Sequence, residues 1–189
     1  PGDYVTFENS STKFIIDSDV SIAALTGNAR TDQGHGEGGV ILVKEGGSLA
    51  VEGSVAYNNM SWVDSMIQLG TWGNSANGEY KMTLEVDGGS LVNTNVINVA
   101  HSKASGALNI STNGGSIAAN TIQVGFDAAF RSTGTVNVAA GTLSATSIYV
   151  GNASRGVVNV SGGELNMNTN GQLRIGYKRA NVPGQQQGD

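Results

Sequence analysis

Asp32, His35 and Glu37 stand close together in the run T-D-Q-G-H-G-E-G-G at 31–39. Two carboxylates and an imidazole can hold a divalent cation, but this spacing matches no metal motif. Glycine on both sides of His35 reads as a polar loop, so neither a metal nor a cofactor is expected. A second group is aromatic: Tyr57, Trp62, Trp72 and Tyr80. Such rings stack on sugar faces or on a partner protein, or bury themselves to hold a loop against the body of the fold. A third group is basic: His101, Lys103, Arg131, Arg155, Lys178 and Arg179. If these recur at one corner of a periodic structure, they form an edge able to attract an acidic glycan or an acidic surface of a second copy.

What positions these residues is a repeat. The turns G-G-S-L (46–49), G-G-S-L (88–91), G-G-S-I (114–117), A-G-T-L (140–143) and G-G-E-L (162–165) recur along the chain. Their spacing is that of a solenoid, whose units are too small to bury an apolar face alone. Before each turn runs an alternating segment: M-T-L-E-V (82–86), L-N-I (108–110), V-N-V (136–138) and V-N-V (158–160). After it come L-A-V (49–51), I-A-A (117–119), L-S-A (143–145) and L-N-M (165–167). A third set reads I-Q-L-G (67–70), I-N-V-A (97–100), I-Q-V-G (122–125), I-Y-V-G (148–151) and L-R-I-G (173–176). Alternation of apolar and polar residues is the period of a strand.

Three strands per repeat predict an all-β, single-domain, three-sided parallel β-helix of roughly six coils. Ile67, Ile97, Ile122, Ile148 and Leu173 then form one inward column, and Leu69, Val99, Val124, Val150 and Ile175 another. At about 1.5–3 kcal/mol per buried aliphatic side chain, such columns dominate stability. Glycine after each third strand permits a corner with positive φ, which Ala100 must adopt at a cost. The divisions expected are an N-terminal coil and polar loop (1–38), a coil with an aromatic insertion (39–80), regular repeats (81–176) and a tail (177–189).

This frame sorts the outward positions. Thr83, Glu85, Asn109, Asn137 and Asn159 face out from the first strands, and Gln68, Asn98, Gln123, Tyr149 and Arg174 from the third. Only one carboxylate is among them, whereas β-helical lyases and glycosidases act through clustered carboxylates or bases. No catalytic residue is assigned. Asn109, Asn137 and Asn159 read as an amide ladder linking successive coils. Ala50, Val92, Ala118 and Ser144, with Asn166, make a flat face suited to lateral packing. The N-x-S/T sequons at Asn9, Asn59, Asn109, Asn152 and Asn159 are what chance produces in so Asn- and Ser-rich a chain.

The 189 residues include 28 glycines and no cysteine, which removes disulfides and thiolate metal sites. A formal net charge of −5 disfavours nucleic acid as a partner. No apolar run approaches the ~20 residues that span a bilayer, so no membrane insertion is expected. Pro1, with no signal-peptide pattern after it, reads as the start of a processed chain or an excerpt. Residues 1–90 carry 12 acidic and 4 basic side chains, against 3 and 6 in residues 91–189, a polarity of −8 to +3.

The pattern G-x-V-N-V-x-G-G-x-L-x-x-x-x-I-x-V-G resembles the Gly- and Asn-rich β-solenoid repeats of bacterial secreted and surface proteins, including autotransporter passengers and proteins with PEP-CTERM sorting signals. The resemblance covers 80–176 well and 14–56 loosely. It implies a right-handed helix and an extracellular or cell-surface location. With no bulky apolar cap read at either end, the polarity suggests head-to-tail addition of copies into a filament. The expected function is a non-enzymatic structural stalk or fibre. A carbohydrate-binding or adhesin module using the Trp insertion is the alternative, and an acid-glycan lyase or glycosidase the third.

Overall fold

The computed structural model describes residues 3–8, 13–28, 39–53, 66–71, 81–100, 105–126, 133–151 and 154–176. Among them there is no helix. Strand β1 (Tyr4–Glu8) precedes a first coil of β2 (Lys13–Ile16), β3 (Asp19–Ile22) and β4 (Ala24–Asn28). The second coil contains β5 (Val40–Lys44), β6 (Ser48–Val51) and β7 (Met66–Thr71). Each later coil has two strands: β8 (Lys81–Asp87) with β9 (Ser90–Val99), then β10 (Ser105–Ile110) with β11 (Ser116–Val124). β12 (Thr133–Val138) with β13 (Thr142–Val150), and β14 (Arg155–Val160) with β15 (Glu164–Ile175), complete the stack.

All strand pairing is parallel, and it closes into two sheets. The six-stranded sheet runs β14-β12-β10-β8-β5-β2, one strand from each coil, so about five turns separate its edges. The nine-stranded sheet contains everything else. The chain is therefore a parallel β-solenoid, and the repeat is its coil. One detail differs from the sequence reading. From the third coil onward the expected second and third strands are a single strand. β9, β11, β13 and β15 run through the junction, marked by register shifts between Ala119 and Thr121 and between Ala145 and Ser147. Thr121 and Ser147 remain register partners across the junction, and β15 runs through its own with Asn170 at φ 66° and Gly171 beside it.

Three register columns result. The first is β2-β5-β8-β10-β12-β14. The second is β3, β6 and the N-terminal parts of the long strands, and the third is β1, β4, β7 and their C-terminal parts. Ile67, Ile97, Ile122 and Ile148 stack in register and are buried, as are Leu69, Val99, Val124 and Val150. Each continuous column keeps methyl groups against methyl groups at the ~4.8 Å strand spacing. At the corner after the third column Gly70, Gly125, Gly151 and Gly176 have φ between 68° and 78°, and Ala100 matches them at 68°. Its N–H still donates to the Leu69 carbonyl at 2.9 Å, so the corner bond holds an alanine in a region that disfavours a Cβ. A second glycine is required by proximity. A Cβ on Gly134 would lie 2.4 Å from the Val99 carbonyl oxygen.

Candidate assembly site

The outer surface carries hydrogen-bonded ladders. Asn137 Nδ2 donates to Asn109 Oδ1 and Asn159 Nδ2 to Asn137 Oδ1, both at 2.8 Å. The three asparagines sit in register, so each amide presents its N–H₂ to the carbonyl of the coil before it, and the ladder read from the sequence is present. One coil earlier in the same column stands Glu85. Asp87 accepts from Ser111 Oγ at 2.5 Å and from Asn113 Nδ2 at 2.8 Å. Those two bonds, with a smaller contribution from Lys44 and Lys13, hold its carboxyl below the ordinary value of 3.8. A carboxylate so held is a turn anchor and a poor proton donor.

The third column departs from expectation. Gln68 and Asn98 point outward by register yet are only 5% and 3% exposed, and Thr26 beside them is buried too. Tyr4 OH donates to Thr26 Oγ1 at 2.9 Å, and the amides of Gln68 and Asn98 both donate to Met66 Sδ. Asn98 Oδ1 is buried with no hydrogen-bond partner. Alternation predicts which way a side chain points, and here it does not predict exposure. Leu42, outward in the first column, is buried in the same way.

Ala50, Val92, Ala118, Ser144 and Asn166 do share one register column, and all are half-buried or exposed. Of the basic edge, Arg155 is exposed at the start of β14. His101, Lys103, Arg131, Lys178 and Arg179 lie outside the described residues, as do Tyr57, Trp62, Trp72 and Tyr80, and Asp32, His35 and Glu37. Among the described residues no group of three His, Cys, Asp or Glu side chains could hold a metal ion. No helix there is long and apolar enough to cross a membrane.

The most unusual surface is the last coil. β14 and β15 end their sheets, each with a strand on one side only. Their inward side chains keep the core pattern, and no described strand lies above them. Val160 is 46% exposed, Leu173 50% and Ile175 77%. Val158, Leu165 and Met167 are half-buried. At the other end Ile16 and Ile22 are buried, and exposure is concentrated on Phe14 and Ile15 of β2. The apolar strip of β14 and β15 thus combines an unpaired sheet edge with exposed aliphatic side chains on the core pattern.

No family model, no curated protein and no solved structure matches this chain. The sequence reading found no bulky apolar cap at this end, although nothing local distinguishes V-V-N-V or L-R-I from the buried copies before them. The available signal was position in the repeat series.

Proposed function

We propose that the chain is a non-enzymatic structural protein, an extracellular β-solenoid stalk or fibre subunit that adds head-to-tail to copies of itself. The observation that carries this reading is the last described coil, where Leu173 and Ile175 are exposed on an inward pattern. Adding a β-strand to an exposed sheet edge supplies main-chain hydrogen bonds, and alternate side chains filling the apolar strip supply specificity. The polarity of the chain supports a head-to-tail sense, since the acidic N-terminal half of one copy would meet the basic C-terminal half of the next. The ladder of Asn109, Asn137 and Asn159 suits a load-bearing rod, as it ties three successive coils together outside as well as inside.

The experiment is sedimentation velocity of the 189-residue chain over a wide concentration range, with negative-stain electron microscopy of the same samples. Concentration-dependent growth into filaments is expected, with an axial repeat near ~30 Å per subunit from six coils at the strand spacing. A sedimentation coefficient that stays monomeric at every concentration, with no filaments on the grid, overturns the proposal.

A further inference from the structure

β1 lies where a neighbouring copy needs to be. It precedes β2 in the chain, yet it does not begin the first column. It pairs in parallel with β4, in the third. Extending the stack one coil beyond β15 requires a strand on β14, then one on the N-terminal part of β15, then one on its C-terminal part. A second copy supplies strands in that order as β2, β3 and β4. The register columns then continue with apolar on apolar. Phe14 and Ile16 fall on Val158 and Val160, Val20 and Ile22 on Leu165 and Met167, and Leu25 on Leu173. In this arrangement the C-terminal part of β15 must pair with the edge of β4 that β1 already covers.

Resting on the head-to-tail reading above, we infer that β1 is a displaceable cap, and that joining is a strand exchange on β4. Residues 173–175 of one copy replace residues 5–7 of the next. The replacement is chemically matched. Val5 pairs with Leu25, Thr6 with Thr26 and Phe7 with Gly27. Leu173, Arg174 and Ile175 end the same three columns at the far side of the molecule. β1 is also a short edge strand. It has five residues and one strand partner, and Val5 is only half-buried. Beyond the ladder, Tyr4 bonds to Thr26, and the Ala23 and Ala24 N–H groups donate to the Asp3 carbonyl just before β1, at 2.9 and 3.5 Å.

Charge supports a second copy joined in this sense. The described last coil has Arg155 and Arg174 against Glu164, a balance of +1. The N-terminal end has Lys13 against Asp3, Glu8, Asp17 and Asp19, a balance of −3. Joining two last coils would instead set +1 against +1. One contact opposes the joint, for Glu164 falls on Asp19 of the second copy.

The test locks and loosens β1 in the full chain. Glu8→Cys with Asn28→Cys places two thiols on register partners in a protein with no other cysteine, to be bridged by a short cleavable crosslinker. Bridged protein should remain monomeric where the parent assembles, and cleaving the bridge should restore assembly. Val5→Asp removes the apolar hold of β1 and should lower the concentration needed for assembly by roughly tenfold, because more molecules present a free β4 edge. Circular dichroism of each variant reports whether the solenoid is retained. Bridged protein that assembles as readily as cleaved protein overturns the exchange and leaves head-to-tail growth standing. Parent, cleaved and Val5→Asp proteins that all stay monomeric overturn both.

Discussion

The coil of β12 and β13 and the coil of β14 and β15 are written almost alike, yet they live in different surroundings. Ile148 and Val150 are 1% and 7% exposed, whereas their register partners Leu173 and Ile175 are 50% and 77% exposed. Leu143 is buried while Leu165 is half-buried, and Val138 is buried while Val160 is not. The side chains point the same way in both coils. The difference is the presence of another coil on the far side, which completes the removal of apolar surface from water. A solenoid therefore makes the same residues serve as core or as interface according to their place in the stack.

The largest effect expected from this comparison separates a middle coil from the last. Ile97→Ala should destabilise the monomer by about 2–5 kcal/mol, since the column leaves a cavity between two fixed coils. Leu173→Ala should cost well under ~1 kcal/mol, because half of that side chain is already in water, yet it should impair assembly. Chemical denaturation of both variants, followed by sedimentation of the folded one, checks the pair. Equal losses of stability would break the distinction. The amide ladder gives a smaller contrast. Asn137→Ala removes a bond to each neighbour and should cost about 1–2 kcal/mol, whereas Asn159→Ala removes a single exposed bond and should cost about half that. Thermal unfolding of the two variants orders them.

The joint itself gives a smaller effect again. Glu164→Lys replaces a like-charge contact with Asp19 of the next copy by an attractive one and should tighten assembly by roughly three- to tenfold, the scale of a cross-strand charge pair. Adding Asp19→Lys to that variant should undo the gain, and a double variant that assembles as tightly as Glu164→Lys would remove the register. The smallest effect concerns pH. Asp87 has a folded pKa lowered chiefly by Ser111 and Asn113, so its contribution is present above the unfolded value of 3.8 and is lost as pH falls through the lower folded value. A stability profile below pH 4 should flatten slightly in Asp87→Asn, and superimposable profiles would mean the turn is indifferent to that charge.

Much of this architecture is legible in the residues themselves. Alternation in V-N-V and I-Q-V determines strands, and the spacing of the glycine turns determines that copies stack. Once copies stack, Asn109, Asn137 and Asn159 must meet. Three features are not legible. The second and third strands join into one because Thr121 and Ser147 stay in the ladder across the junction, and residue type there is neutral between bend and break. Gln68 and Asn98 are buried although alternation turns them outward, since alternation gives direction and not exposure. Y-V-T-F-E alternates like any first strand, yet β1 lies on β4.

By itself, the sequence determined the period, the inward and outward residues, the glycine corners and the polarity of charge, because each of these depends on local spacing. Only the tertiary structure decided which apolar residues are buried and which column β1 joins. Those depend on what lies on the next coil, and hydrophobic burial and strand pairing are relations between segments that local spacing leaves undetermined.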